Sequence, residues 1–249
     1  MTQSNPTKPK LQKFLASAGL CSRRKGELLI LDGLISINGK KAKLGDRVNV
    51  DHDIVKFKGN RINANSKPSV TLIVNKPKGY MCSNEDINAD RLIFELLEQK
   101  YRTIRLFCAG RLDVDSEGMV VLTNDGDLAH RLTHPSQEVR KKYKIEIDKN
   151  LDTDVLPSLL NGEIVEDEFL KIDEIKPRKG KSLRSRKLDI VMQHGKKREI
   201  RRIFFYLGYR VTKLKRVSIG GLGIRNMSLG QSRLLKKEEI DLLFPKKIS

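Results

Sequence analysis

The sequence predicts an α+β protein in two parts: a small helix–hairpin domain, then a larger domain of mixed strands and short helices. Three observations lead there. Over residues 9–58, apolar side chains first recur at helical spacing and then alternate around an Asn-Gly turn. Residues 59–69 (GNRINANSKPS) are polar, contain Gly and Pro, and read as a linker. Over residues 70–245, apolar runs of strand length alternate with turns and short amphipathic helices.

In the first part, residues 1–9 are polar and aperiodic. Leu11, Phe14, Leu15 and Ala18 then define one face of a short helix that stops at Gly19. Ser22 is placed to cap a second helix, which carries Leu28, Leu29 and Leu31 and closes at Asp32-Gly33. Leu34 to Ile37 alternates as a strand, Asn38-Gly39 is a hairpin turn, and Val48 and Val50 are expected on a later strand. Arg23, Arg24 and Lys25 put three cations at a helix N-terminus, where the dipole disfavours positive charge. A phosphate is expected to compensate, although a solvated basic turn has the same pattern. This helix–Ser-Arg-Arg-Lys–helix–hairpin layout, over about residues 9–56, resembles the ribosomal protein S4-type RNA-binding domain. That resemblance implies RNA contacts for Arg23, Arg24 and Lys25.

The second part opens with a strand, Thr71 to Val74, and the turn Asn75-Lys76-Pro77-Lys78-Gly79, which clusters lysines. Leu92, Phe94, Leu96 and Leu97 suggest a short helix. Residues 109–127 (AGRLDVDSEGMVVLTNDGD) follow, two glycine-bounded polar turns enclosing the apolar run Met119 to Leu122, of the kind that makes a buried strand. A helix end over His130–Pro135 and a strand at Lys141–Ile147 come next. The charge then swings. Residues 151–175 hold eight acids against Lys171 alone, and residues 176–216 hold sixteen lysines and arginines against Asp189 and Glu199. An acidic insert on the far side of the molecule would orient the basic face toward RNA. Leu188 to Met192 is a strand and His194 to Lys197 a turn. Ile200, Ile203, Phe204 and Leu207 share one face of a helix ending at Gly208. Arg198, Arg201 and Arg202 cannot all share that face, so at least one points along its edge toward an anion. Val211, Leu214, Val217 and Ile219 continue into another strand.

The totals bound the function. Fifty lysines and arginines against 31 acids leave a net charge of +19 and a pI near 9.9, which points to a polyanionic partner. Three separated cysteines, no CxxC pair and four scattered histidines offer no zinc site and fit a reduced, cytoplasmic protein. The polar N-terminus lacks an apolar signal region, and no apolar run approaches membrane-spanning length, so no membrane partner is expected.

The carboxylates beside Arg111 admit several readings. Asp113-x-Asp115-x-Glu117-Gly118 opens like a calcium loop, but Asn124 stands where the loop needs a bidentate Glu, and strands flank it. A glycosidase pair from Asp113 and Asp115 needs one protonated acid, and basic neighbours keep both carboxyls ionised. Asp113 as a turn cap paired with Arg111 remains open on the residues alone.

The string Gly-Arg-Leu-Asp-x-Asp-Ser-Glu-Gly, an apolar run and Leu-Thr-Asn-Asp-Gly is similar to the signature of the RsuA/RluB-type ribosomal RNA pseudouridine synthases. Supporting matches follow in order: Asn75 to Gly79, Arg131 to Pro135, Lys142-Tyr143, Arg198 to Arg202, and Leu214 to Gly220. The resemblance spans about residues 9–242 and implies a synthase domain on a mixed, largely antiparallel sheet. It implies that a uridine of ribosomal RNA is isomerised to pseudouridine, with no cofactor or metal; Glu199 and the Ser22-Arg23-Arg24-Lys25 turn look more like the large-subunit (23S) branch than the small-subunit (16S) branch, a slight preference. Asp113 matches the essential aspartate, Tyr143 the tyrosine that stacks on the flipped base, and Arg201 the arginine that ion-pairs with the aspartate. Leu214, with Arg111 and Leu112, is expected to line the substrate pocket. Lys76, Lys78, Arg198 and Arg202 are expected on RNA. Lys197 and Glu199 depart from the commoner polar residue and Gln of the family, Glu being a feature of the RluB-like branch. A monomer is expected. The rival reading is a non-catalytic ribosomal RNA-binding or assembly factor.

Overall fold

The computed structural model describes residues 8–63, 68–84, 90–180, 182 and 184–245, and the chain divides into two compact units between Ser69 and Val70. The small unit runs α1 (Leu11–Ser17), α2 (Arg23–Leu31), β1 (Ile35–Ile37), β2 (Lys40–Lys41), β3 (Val55–Phe57) and β4 (Asn60–Ile62), its strands ordered β2-β1-β3-β4. Leu11, Phe14 and Leu15 pack on Leu29, Ile30, Ile35 and Val55, and Ser22 Oγ accepts the Lys25 N–H at 3.2 Å, capping α2.

Three expectations for this unit change. The inward face of α2 carries Gly26, Leu29 and Ile30, while Leu28 and Leu31 are exposed. Val48 is buried but lies in no strand; its N–H donates to Pro9 O at 3.0 Å, and Val50 is exposed. The expected linker begins late, because Lys58 and Gly59, both at positive φ, form the β3–β4 hairpin turn and residues 60–62 pair with β3. Residues 64–67 of that expected linker lie outside the described residues.

The large unit contains β5 (Thr71–Lys76), α3 (Gln99–Arg102), β6 (Phe107–Ala109), β7 (Glu117–Thr123), α4 (Gly126–Thr133), β8 (Lys141–Ile147) and α5 (Leu156–Asn161). It continues with β9 (Glu163–Val165), β10 (Glu168–Leu170), β11 (Glu174–Pro177), β12 (Lys187–Met192), α6 (Glu199–Tyr206), β13 (Val211–Ile219), β14 (Leu222–Gly223), β15 (Ser232–Leu234) and α7 (Lys237–Asp241). The main sheet is ordered β11-β12-β8-β13-β7-β5-β15, with β6 and β14 attached to β7 and β13. It is mixed and largely antiparallel: β13 runs parallel to β7, and the other pairs are antiparallel.

The sheet is covered on both faces, so its central strands are continuous apolar runs rather than alternations. Leu72, Val74, Val120 and Leu122 point into one core, and Ile73, Met119 and Val121 into the other. Each such side chain contributes about 1.5–3 kcal/mol by leaving water. Gly118 sets the approach of β7 to β13. At φ +111°, a Cβ there would sit 2.1 Å from Arg216 O, so a side chain would force the two strands apart. Among the described residues no helix is long and apolar enough to cross a membrane.

The acidic stretch departs from expectation. It folds partly as the β9–β10 hairpin, turning at Glu166-Asp167, and that hairpin packs beside α6 instead of on a far side. Glu166 and Glu168 ion-pair there with Arg202, which satisfies acid and base together.

Candidate active site

The turn Asp113–Ser116, closed by the Ser116 N–H on Asp113 O at 3.1 Å, enters β7 and presents its carboxylates at the sheet's end. Val114 O, at its tip, is held from below: it accepts the Gly79 N–H at 2.8 Å and lies 3.5 Å from Lys76 Nζ. Asn75-Lys76-Pro77-Lys78-Gly79 is thus the clamp on this turn. Lys76 is completely buried, its ammonium donating to Pro77 O at 3.0 Å. Burial pushes its pKa down, while Cys82, Asp115, Asp113 and Glu117 oppose that. The expected RNA contact of Lys76 is therefore corrected: its side chain faces the turn, not solvent.

Arg216 is the second buried cation under the turn. Its Nε donates to Met119 O at 2.7 Å and its Nη1 to Arg111 O at 3.3 Å, tying both ends of the carboxylate loop to β13. No local motif singles it out. The signal was strand parity, since Arg216 shares the inward side of β13 with Leu214 and Ser218. Cys82 was also missed. Its thiol is drawn down to about 6, by a hydrogen bond with the Cys108 thiol and then by the Leu112 N–H and the charges of Lys76 and Arg216. The same pairing pushes Cys108 up. The buried Cys82 thiol thus lies in the field of two buried cations, Lys76 and Arg216.

Above the turn, α6 supplies arginines. Arg198 stands at the helix N-cap in a left-handed conformation, φ +50°. Its guanidinium lies 3.7 Å from Asp113 Oδ2 and 3.2 Å from Asp115 Oδ2. Arg201 Nη1 donates to Val211 O at 2.8 Å, and Nη2 donates to Asp115 O at 3.2 Å and Ser116 Oγ at 3.3 Å. Those three acceptors fix Arg201 toward Asp115, whose Oδ2 it meets at 3.3 Å. The ion pair expected between Arg201 and Asp113 is thus made by Arg198 instead. Partial burial works against ionisation of Asp115, but the hydrogen bonds and charge of Arg198 and the charge of Arg201 outweigh it and hold the carboxyl below its ordinary value. Arg202 is not free for RNA: Glu166, Glu168 and Val165 O, the last at 2.9 Å, occupy its guanidinium.

The remaining expected residues divide by burial. Tyr143, Leu112 and Leu214 are buried in one core cluster with Ile200 and Met192. Tyr143 faces Arg216 across β8–β13, and Arg216 faces Gly118 across β13–β7, which puts the tyrosine two strands from the carboxylate turn. Arg111 is exposed beside that turn, and Lys78 lines a cleft of about 1000 Å³ together with Asp115, Arg198 and Arg201. In the small unit, Arg23, Arg24 and Lys25 are exposed on the first turn of α2, which holds no acid. Glu199 is buried, accepts the Lys196 N–H at 2.9 Å, and is pushed up in pKa by burial; it organises the start of α6. Among the described residues no cluster of three or more His, Cys, Asp or Glu side chains is placed to hold a metal.

Comparisons with known proteins agree with this architecture. Family profiles match residues 70–205 as RNA pseudouridylate synthase and residues 10–54 as an S4 domain. The chain is 35% identical to ribosomal large subunit pseudouridine synthase B of Pseudomonas aeruginosa, aligning over 97% of its own length but only 64% of that protein. It is 34% identical to an uncharacterized RNA pseudouridine synthase of Borreliella burgdorferi, over 94% of this chain and 93% of that one. A crystal structure of a pseudouridylate synthase superposes with a TM-score of 0.68 at 26% identity, covering 94% of this chain and 99% of its own. The match over residues 70–205, the identity over nearly the whole of both chains and the shared fold give one answer: the chain belongs to the RNA pseudouridylate synthase family.

Proposed function

We propose that this chain isomerises one uridine of ribosomal RNA to pseudouridine, with Asp113 as the carboxylate that acts on the target nucleotide. The reaction breaks the N1–C1′ bond and forms C5–C1′; the C5 proton leaves and N1 gains one. Atoms are conserved, and no oxidant, water or group donor enters. What the protein must supply is a flipped, oriented uridine and an oriented carboxylate. The observation that carries the reading is Asp113 itself, 37% exposed and 3.7 Å from the Arg198 guanidinium, on a turn that Lys76 and Arg216 hold from beneath. Such a carboxylate is aimed without being covered, and can reach C1′ or C6 of an extruded nucleotide.

Tyr143, Leu112 and Leu214 are the apolar wall against which the base is turned, and Arg111 stands at the rim. Arg198 and Arg201 position the two carboxylates, with Arg198 nearer to Asp113. Lys78 meets the RNA backbone beside the site, and Arg23, Arg24 and Lys25 grip it from the small unit. The name of the Pseudomonas relative and the residue Glu199 both favour the large-subunit RNA over the small.

The test uses ribosomal RNA and assembling subunits carrying uridine tritiated at C5. The purified chain is expected to release tritium to water, and Asp113→Asn to release none while binding equally. Binding without release by the wild type would instead make this an RNA-binding assembly factor.

A further inference from the structure

The exposed face of α6 carries a feature that the carboxylate chemistry does not use. Phe205 is 77% exposed, further into solvent than any other large apolar side chain among the described residues, and its neighbour Tyr206 is 55% exposed. The sequence has no tryptophan and only eight phenylalanines and five tyrosines, so two adjacent bare rings are a concentrated use of a scarce resource. Among the described residues neither ring stacks on another ring or holds a cation. Tyr209 differs: its hydroxyl accepts the Asp152 N–H at 2.9 Å and Lys149 Nζ lies 4.8 Å from its ring centroid, so its role is structural.

Both rings line the cleft of about 1000 Å³ that Asp115, Arg198 and Arg201 also line. Phe205 follows Arg201 by four residues, which sets it on the same helix face about one turn further from the carboxylates. Most cations in the cleft are spoken for, Arg198 and Arg201 by Asp115 and Arg202 by Glu166 and Glu168. Lys78 and Arg210 also line it; neither side chain forms an ion pair among the described residues, and the contact of Arg210 with Asp148, a further lining residue, is made by its backbone N–H, which donates to Oδ1 at 3.0 Å. Bare aromatic faces in one cleft with cations outside ion pairs are the composition that binds unpaired nucleotides, bases on rings and phosphates on cations.

We propose that Phe205 and Tyr206 form a base-stacking subsite for unpaired nucleotides adjoining the target uridine, with Arg210 and Lys78 on the flanking phosphates. The proposal rests on the RNA-modifying reading above and adds to it a requirement that the RNA beside the target be single-stranded.

The probe is a single-stranded oligouridylate with one 2-aminopurine, titrated with the full-length chain. Stacking on Phe205 or Tyr206 quenches the probe's fluorescence. F205A/Y206A is expected to abolish the quenching and weaken binding about tenfold or more. The aromatic-preserving F205Y/Y206F is expected to keep both, and D113N to bind as the wild type does. Both rings lie outside the core, so the alanine variant is expected to melt with the wild type. No quenching by the wild type, or equal binding by F205A/Y206A, overturns the subsite. Sedimentation showing a wild-type dimer that F205A/Y206A dissociates would assign the rings to a second copy of the chain and overturn it as well. Tritium release by a wild type whose rings prove dispensable leaves the catalytic reading standing. Quenching without tritium release removes that reading and leaves only an RNA-binding cleft.

Discussion

In the small unit Arg23, Arg24 and Lys25 stand in water on the first turn of α2, with no acid in that turn. Under the Asp113 turn, Lys76 and Arg216 are buried, donating to backbone carbonyls and facing Cys82 and the carboxylates. The same residue types thus serve two physical ends. Exposed cations release counterions when they meet phosphate, and they add little to stability. Buried cations have lost their hydration, hold a loop in one geometry, and cannot be removed without leaving their partners unsatisfied. A net charge of +19 does not distinguish these populations; burial does.

The contrast is broken most forcefully at Arg216. Arg216→Met removes the donors to Met119 O and Arg111 O and leaves Cys82 with one cation fewer. A loss of about 3 kcal/mol in urea unfolding is expected. A loss below about 0.5 kcal/mol would mean that Arg216 belongs with the exposed cations. Asp115→Asn is intermediate. The carboxylate is 42% exposed, so its pairing with Arg198 and Arg201 is partly screened and about 1 kcal/mol is expected at neutral pH. Because the folded-state pKa of Asp115 lies below its ordinary 3.8, that contribution is complete above 3.8 and fades as pH falls through the folded-state value. Wild type and variant therefore converge in acid, and a gap constant with pH would contradict the ion pairs. The smallest stability effect belongs to R23A/R24A/K25A, within about 0.5 kcal/mol of wild type. Its signature lies elsewhere: the slope of log binding constant against log salt for ribosomal RNA should fall by about 2–3.

Much of this architecture was legible in the sequence where a signal is local. The Leu11, Phe14 and Leu15 face, the Ser22 cap, the buried run Met119 to Leu122 and the Ile200–Ile203–Phe204 face of α6 all follow from period and capping rules. The family motifs also located the carboxylate turn. What local signals left out is long-range pairing. Nothing near Lys76 says that its ammonium meets a carbonyl 38 residues on. Nothing near Arg202 announces Glu168, 34 residues earlier. The exchange of Arg198 for Arg201 at Asp113 depends on a positive-φ N-cap and on Val211 O, both products of the folded backbone. The acidic stretch misled for the same reason, since net charge says where a segment is stable only after its partners are known.

Asp113 is proposed as the reactive carboxylate, with Lys76 and Arg216 holding the turn that presents it. Pseudouridine mapping of ribosomal RNA from cells carrying either the wild-type chain or Asp113→Asn tests this most directly, since the change keeps size and removes only the carboxylate. A pseudouridine in the large-subunit RNA is expected to be lost in the variant while protein level and RNA binding are kept. Identical maps from the two strains would contradict it.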